Sequence, residues 1–233
     1  LTPYGLTFNT AGTKMWIGDA NNIIYEYDLS AAWDLSTVSF NYTKLGETTG
    51  ADITDVFVSS DGSKFYYVDF NNDTVYTYPL STAYDLSTAG TAVAWTGFVT
   101  QENQPKSIFF SSDGTKVYLS GSSGDDFNQY NLSSAWDLST AVFDDRRKPL
   151  FTGNIPDSMF FSSDGLQLFV LDTSTTADEE SIIKLTLSTA WDLSTVSPRT
   201  PNSVYFPEVL ENNATGMAIS TDGTKLYIID VSP

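Results

Sequence analysis

The sequence predicts an all-β protein of the β-propeller class, because a unit of about fifty residues recurs along the 233-residue chain. Two landmarks recur. The first is a Ser-Asp-Gly turn, with Ala-Gly in the first unit and Thr-Asp-Gly in the last, whose glycine recurs at intervals of 50, 52, 51 and 58 residues as Gly12, Gly62, Gly114, Gly165 and Gly223. The second is Leu-Ser-Thr-Ala-Trp-Asp-Leu-Ser-Thr, whose aromatic residue recurs at intervals of 51, 52 and 55 residues as Trp33, Tyr84, Trp136 and Trp191. Both landmarks keep one period, so the repeat is a structural unit.

Four short strands are expected in each unit. The first is apolar on both faces, as in residues 108–110 and 159–161, which is typical of a strand buried on both sides. The Asp-Gly pair that follows predicts a tight hairpin with positive φ at both central residues. The third strand alternates apolar and polar residues, and the fourth is weaker and is obscured by Pro198 in the fourth unit. Burial should therefore fall from the first strand to the fourth, as from the axis of a propeller blade to its rim.

The chain is expected to form a single domain over residues 1–233. Its repeats cover about 1–52, 53–104, 105–155, 156–213 and, in part, 214–233. Counting first strands predicts five blades, with four complete four-stranded repeats and a half repeat at the C-terminus. An incomplete blade leaves an unpaired strand edge. We expect that edge to be completed by further chain of a longer natural protein or, alternatively, by another subunit, including a homo-oligomer.

Composition excludes several classes of function. The chain has 11 Lys and Arg against 29 Asp and Glu, and its net charge of −18 repels phosphate backbones and anionic lipids. We therefore expect neither a nucleic-acid partner nor membrane insertion. The lack of Cys and His removes thiol nucleophiles, imidazole bases and the usual zinc ligands. An acidic, folded chain of this kind is interpreted as extracellular or as part of a virion surface.

Two segments resemble known repeats. The Ser-x-Asp-Gly-x-Lys-x-Tyr pattern at residues 111–118, matched at 221–227, resembles the blades of YVTN and NHL propellers. The stretch at 187–195 resembles a repeat of uncharacterised marine phage and environmental bacterial proteins. A weaker likeness to the sialidase Asp-box fits the spacing less well. The resemblance implies a propeller with no assigned reaction, and a fold alone does not give a function.

The loops that differ between units lead to a binding hypothesis. Turns between first and second strands, and connections between third and fourth strands, are nearly constant and share one face of the ring. The remaining loops lie on the opposite face, where a ligand would contact side chains that vary from blade to blade. The candidate ligand-binding residues on this variable face are Asp19, Asn21, Asn22, Asp69, Asn71, Asn72, Asp73, Asp125, Asp126, Asp172, Arg146 and Arg147. The alternative is that these loops vary because nothing restrains them.

Two features of these loops have simpler explanations. Asp and Asn oxygens are ligands that calcium accepts, but no EF-hand spacing is present and Asx residues favour turns for their own hydrogen bonds. No cofactor is therefore expected, with calcium left as an alternative. The recurrence of Asp19, Asp69, Asp172 and Asp230 at one position favours a structural role in every blade. The basic cluster at residues 146–148 either pairs with the acidic residues before it or contacts an anionic partner.

Three function classes follow. The favoured one is a non-catalytic binding or structural module whose ligand is a glycan or a protein. The alternative is a hydrolase, lactonase-like or a glycosidase, with an acidic site at the central channel. Glycosidases need two carboxylates across one bond, whereas Asp55 and Asp157 are the only acidic candidates near the channel, and no residue is assigned as catalytic. The third class is an architectural repeat that packs edge to edge. The recurring tryptophans are expected to cover the core between blades, not to stack on sugars.

Overall fold

The computed structural model describes residues 2–123, 126–149, 154–174, 181–197, 203–205 and 214–231. For 145–149, 154–155, 173–174 and 203–205 only the backbone is described. Within these ranges the regular structure consists of β-strands and four single-turn 3-10 helices, so no helix there is long and apolar enough to cross a membrane. The prediction of an all-β chain is confirmed.

Four antiparallel sheets of four strands each form the blades of a β-propeller. The strands of the first blade are β1 (Pro3–Phe8), β2 (Lys14–Asp19), β3 (Ile23–Leu29) and β4 (Val38–Leu45). Those of the second are β5 (Ile53–Val58), β6 (Lys64–Asp69), β7 (Thr74–Pro79) and β8 (Val93–Trp95). Those of the third are β9 (Pro105–Phe110), β10 (Lys116–Gly121), β11 (Asp126–Leu132) and β12 (Ala141–Pro149). Those of the fourth are β13 (Asn154–Phe161), β14 (Gln167–Ser174), β15 (Ser181–Thr186) and β16 (Ser203–Tyr205).

A two-stranded sheet follows the four blades. It pairs β17 (Ala214–Ile219) with β18 (Leu226–Asp230). Strand β17 contacts β13 on one side and β1 on the other, and β1, β5, β9 and β13 contact one another in that order. The first strands therefore follow one another around a closed ring.

The apolar core lies between neighbouring sheets. One cluster joins the first and second blades through Trp16 and Phe65, and others join the second to the third and the third to the fourth. Two smaller clusters place Met217 against the fourth blade and Ala218 against the first. Inner strands are buried, whereas β4 is exposed over nearly its whole length. The predicted decrease in burial from axis to rim is confirmed.

The Ser-Asp-Gly hairpins differ from the predicted geometry. Only their glycines have positive φ, between 69° and 72°, so the prediction that both central residues would adopt it was wrong. The reason is the length of the turn. Gly62 N donates to Ser59 O at 2.8 Å, so the glycine is the fourth residue of the turn and not one of the two central ones. The first blade closes in the same way, from Gly12 N to Asn9 O at 2.9 Å, although alanine precedes its glycine. Glycine alone therefore takes the left-handed conformation. In the second blade the Asp61 carboxylate also accepts hydrogen bonds from Ser59 Oγ (2.6 Å) and Ser63 N (2.9 Å), which stabilise the turn.

Each connection between third and fourth strands folds back onto the hairpin of its own blade. Its aromatic residue has positive φ (61° at Trp33), and Trp33 N donates to Gly12 O at 2.8 Å. The aspartate after the aromatic caps a 3-10 turn, as Asp34 does for Leu35–Thr37. The ring lies so close to the glycine that a Cβ there would fall 2.2 Å from Trp33. Glycine is thus required by both the backbone conformation and the contact.

The same aromatic residues connect neighbouring blades. Tyr66 Oη in the second blade donates to Trp136 O in the third at 2.6 Å, and Tyr118 Oη in the third donates to Trp191 O in the fourth at 2.6 Å. Trp136 also belongs to the cluster between the second and third blades. The prediction that the tryptophans cover the core between blades is confirmed. One feature was not predicted: the fourth strand of the fourth blade is at Ser203–Tyr205, beyond Pro198.

We predict that Trp136→Ala lowers the free energy of unfolding by about 3 to 5 kcal/mol, because it removes a large ring from a packed interface between blades. Phe40→Ala is the control, because this aromatic is 62% exposed and should change stability by less than about 1 kcal/mol. Urea denaturation followed by circular dichroism measures both. Similar losses for the two variants would contradict the role assigned to Trp136.

Candidate functional site

The variable face carries several of the candidate residues in turns that they themselves stabilise. Asp19 is buried and accepts hydrogen bonds from Asn21 N at 2.7 Å and Thr2 N at 2.7 Å. Asn22 has φ of 65° and donates through Nδ2 to Thr48 O at 2.8 Å. These side chains therefore fix the loop between β2 and β3 onto the neighbouring crossover.

The second blade uses the same device. Asp69 is fully buried and accepts from Thr48 Oγ1 at 2.6 Å and from Asn72 Nδ2 at 2.9 Å. Asn71 Nδ2 donates to Gly50 O at 3.0 Å, and Asp73 has a positive φ of 47°. Since Asn22 also bonds to Thr48, this threonine links the loops of the first two blades. The predicted structural role of the recurring aspartates is confirmed for Asp19 and Asp69.

The other candidates are not brought into this group by any described contact. Asp126 is buried and accepts from Asn128 Nδ2 at 2.9 Å. Asp172 is also buried, and it lies opposite Pro156 in the β13–β14 strand pair. Arg146 and Arg147 lie on β12, where only the backbone is described, and Asp125 lies outside the described residues. Binding at the variable face remains a prediction. Within the described ranges, no three Asp or Glu side chains are grouped closely enough to hold a metal ion.

A cavity of about 580 Å³ lies on the propeller axis at the end formed by the constant turns. We call it the axial cavity. Its wall includes Phe57, Phe109 and Phe160, which occupy one position of three successive first strands and are each half-buried. The rings of Phe57 and Phe109 meet edge to face with centroids 5.2 Å apart, and so do those of Phe109 and Phe160. The first and last sheets place smaller residues, Thr7 and Ala218, at this position.

The rim of the axial cavity carries hydroxyl groups. The second residue of each constant turn is exposed, and all five line the cavity: Thr10, Ser60, Ser112, Ser163 and Thr221. Trp33, Trp136 and Trp191 also contribute to the wall, so aromatic surface lies below a ring of hydroxyls. Sequence reasoning missed this cavity because it treated the first strands as buried on both faces. The signal was the Phe at one position of three repeats, where the alternation of a strand directs every second side chain to the axis.

Asp55 is the buried carboxylate of the axial cavity. It is 7% exposed, and its Oδ2 accepts from Ser107 Oγ at 2.7 Å and from Ile108 N at 2.9 Å. Its Oδ1 accepts from Val56 N at 2.8 Å. Burial raises the pKa of Asp55 to about 7, although these three hydrogen bonds lower it. Around pH 7 this carboxyl group is therefore present in both its neutral and its ionised form.

The residues equivalent to Asp55 form a ring around the axis. Ser107 Oγ also accepts from Met159 N at 3.2 Å, and Ser158 Oγ accepts from Met217 N at 3.3 Å, so each side chain bonds to the next first strand. Gly5 completes the first blade, where a Cβ would lie 2.5 Å from the Cα of Asp55. Asp55, Ser107 and Ser158 thus connect neighbouring blades through hydrogen bonds, whereas at Gly5 the two backbones approach so closely that no side chain fits.

At the opposite end of the ring, polar contacts link neighbouring first strands. Lys106 Nζ lies 3.1 Å from Asp157 Oδ1, and Thr54 Oγ1 donates to Pro105 O at 3.3 Å. Thr215 Oγ1 donates to Pro3 O at 2.8 Å. Asp157 was the second acidic candidate for a channel site, and the structure pairs it with a lysine at the end away from the axial cavity. The two acidic candidates are therefore not placed across one shared site.

Comparison with models of known protein families and with curated protein sequences finds no match. Solved structures do match in fold. A candidate 6-phosphogluconolactonase from Bacteroides uniformis has a TM-score of 0.59 at 12% identity, over 97% of this chain and 57% of its own. One from Bacteroides fragilis has a TM-score of 0.56 at 15% identity, over 98% and 58%. The nidogen/laminin complex gives 0.59 at 12% identity, over 98% and 72%. The chain thus spans little more than half of the two lactonase-like structures, and identities this low show the fold alone.

We predict that the stability difference between Asp55→Ser and the wild type depends on pH. Folding raises the pKa of Asp55, so the folded state holds its proton more tightly than the unfolded state, and stability is lost as pH rises from about 4 to about 7. Relative to the serine variant, the wild type should lose up to about 4 kcal/mol over that window and then level off. Serine is the matched replacement because Ser107 and Ser158 occupy the equivalent positions.

Urea denaturation of both proteins at pH 4, 5.5 and 8 measures this difference. The comparison with the variant cancels the titration of the other carboxylates, which both proteins share. A difference that stayed constant from acid to neutral pH would contradict the raised pKa of Asp55.

Proposed function

We propose that this chain is a non-catalytic binding module on a virion or cell surface, built as a five-bladed propeller whose last blade is the β17–β18 sheet. The supporting observation for the blade count is the position of β17 between β13 and β1 in the ring of first strands. For binding it is the axial cavity, which combines an aromatic wall with a hydroxyl rim. Pockets that are mostly apolar with a few polar groups are the usual form of a ligand site.

The ligand class that this arrangement fits best is a neutral glycan. Sugar rings present apolar C–H faces, which pack on aromatic side chains such as Phe109 and Phe160, and hydroxyls, which bond to rim residues such as Ser112. Asp55 at the base can accept or donate a hydrogen bond because its pKa lies near 7. The net charge of −18 disfavours anionic ligands. The glycan would therefore enter from the constant-turn end of the ring, and the variable face would remain available to a protein partner.

The second candidate function is hydrolysis at the axial cavity, in line with the lactonase-like structures that share the fold. The observation that favours it is the raised pKa of Asp55, since displaced pKa values are common at catalytic carboxylates. A glycosidase needs a second carboxylate across the scissile bond. The other aspartates that line the cavity are Asp164 and Asp222, which stabilise their own turns by accepting from Leu166 N and Thr224 N at 3.0 Å. Their use in the turns makes binding the better supported function.

We predict that glycan binding, measured on an array and then by calorimetry, is weakened about tenfold or more by Phe109→Thr and by Phe160→Ala. Each substitution removes one ring of the wall, and stacking on one aromatic side chain contributes roughly 1 to 3 kcal/mol for a nucleic-acid base, which sets the scale expected for a sugar ring. The replacements are those that the repeat itself uses, since Thr7 and Ala218 hold the same position in other sheets. Both variants are first checked for cooperative unfolding.

Asn72→Ala on the variable face is the matched control and should leave glycan binding unchanged. The reverse pattern, with binding lost in Asn72→Ala and kept in both cavity variants, would move the site to the variable face. Absence of binding to every glycan by a folded sample would contradict the ligand class. Release of sugar or acid from a bound compound, abolished by Asp55→Ser, would replace binding by hydrolysis.

A further inference from the structure

The turn of the β17–β18 sheet lacks the cover that the other turns have. A Cβ on Gly12, Gly62, Gly114 or Gly165 would lie 2.2 to 2.6 Å from an aromatic ring of the connection. Gly223 has a matching φ of 70°, but apart from its two chain neighbours no described residue has an atom within 4 Å of the position of its Cβ. The backbone of this turn has thus adopted the geometry that receives an aromatic ring, and the described residues do not supply one.

The hydrogen bonds of the turn show the same difference. In the first blade Trp33 N donates to Gly12 O and Leu29 N donates to Thr13 O, both at 2.8 Å. The other three blades repeat both bonds at 2.8 to 3.0 Å. The equivalent carbonyls, those of Gly223 and Thr224, receive no backbone hydrogen bond from the described part of the chain. They are therefore two acceptors in the position that a third strand and its connection would use.

Part of the axial cavity extends beside this turn as an open groove, which is lined by Phe169, Ile182, Lys184, Gly223 and Leu226. Leu226 is 40% exposed, whereas the residues at its position in the four blades, among them Phe65 and Leu168, are at most 7% exposed. A leucine whose counterparts are all covered indicates an apolar surface shaped for a partner.

The side of the groove formed by the fourth blade differs from its counterparts. In the first and third blades, Glu26 and Gln129 accept a hydrogen bond from the next connection, at Leu86 N (2.8 Å) and Leu193 N (3.0 Å). The fourth blade has Lys184 at this position, paired across the strands with Phe169. Lysine can only donate, as Lys64 Nζ does to Trp136 O at 2.8 Å. The fourth blade therefore offers the entering segment a donor where the first and third blades offer an acceptor.

We infer that β18 receives a third strand, and that the occupant is a segment carrying the repeat's own element, an apolar strand followed by Leu-Ser-Thr-Ala-Trp-Asp-Leu-Ser-Thr. Its aromatic ring covers Gly223, its backbone N–H groups bond to Gly223 O and Thr224 O, and its strand covers Leu226. Tyr227 Oη and Lys225 Nζ already bond to Trp33 O at 2.6 and 2.7 Å, so the sheet is held in register on the first blade. This inference rests on the proposed five-bladed ring.

The test is binding of a labelled peptide with the sequence of residues 182–197, which contains the third strand and connection of the fourth blade. Fluorescence anisotropy with the full 233-residue chain should show saturable binding below about 1 mM, and Trp191→Ser in the peptide should weaken it about tenfold or more. Hydrogen exchange should slow at residues 224–230 when peptide is present, which a contact elsewhere on the ring would not cause.

Two variants of the chain locate the site. Gly223→Ala and Leu226→Lys should each weaken peptide binding about tenfold or more, and Leu45→Lys, at a residue that is 67% exposed on β4, should leave it unchanged. Equal binding of the two peptides, or no binding below about 1 mM, would overturn the inference. So would a dimer, seen by light scattering, that Leu226→Lys dissociates and the peptide does not, because the occupant would then be a second copy. Glycan binding at the axial cavity is measured in a separate experiment, so the proposed glycan site and the proposed third strand on β18 can each be contradicted without the other.

Discussion

The contact between the aromatic residue of each connection and the glycine of its hairpin organises the whole molecule. Within a blade, the ring packs on the glycine and the backbone of the aromatic residue bonds to the glycine carbonyl, which fixes the fourth strand relative to the first two. Between blades, the carbonyls of Trp33, Trp136 and Trp191 each accept the hydroxyl of a tyrosine from the neighbouring sheet. In these three repeats one residue therefore sets both the internal geometry of a blade and its position in the ring, which explains why its surroundings recur almost unchanged.

A ring built from such repeats gains stability from interfaces between neighbours, because a single blade has no closed core of its own. These interfaces differ in the size of their apolar clusters. The larger clusters lie between the complete blades, and the two that involve β17 and β18 are smaller. The axial ring adds a second type of link, since Ser107 and Ser158 bond to the next first strand. Asp55 fills the same position at an energetic cost, because burial disfavours its ionised form.

Much of the fold could be predicted because it depends on local patterns that recur. The period, the strand types and the decrease in burial follow from the spacing of glycines and aromatics and from alternation. The geometry of the hairpin could not be predicted from Asp-Gly alone, because it depends on where the turn closes: Gly62 N bonds to Ser59 O, which makes the glycine the fourth residue of the turn. The strand Ser203–Tyr205 was missed because Pro198 breaks the local pattern, while pairing with β15 depends on tertiary contact.

The candidate site was harder to predict because it is made by the ring, not by any one repeat. A phenylalanine in a first strand has the same local signature whether it faces a packed interface or the axis, and only the closure of the ring places Phe57, Phe109 and Phe160 around one cavity. For the acidic loops, in contrast, the local pattern indicates a ligand site. The carboxylates of Asp19 and Asp69 instead bond to their own loops and crossovers.

In a repeat protein, the positions that depart from the repeat carry more information about function than those that keep it. Asp55 stands where other sheets have serine or glycine, and it brings a titratable group to the axis. Lys184 stands where two other blades have a hydrogen-bond acceptor, and Gly223 keeps the turn geometry without its aromatic cover. The first departure lies at the base of the axial cavity and the other two line the open groove that joins it. The proposed ligand site and the proposed completion of the last sheet therefore share one continuous surface, so a strand seated in the groove would also form part of the wall that a ligand contacts.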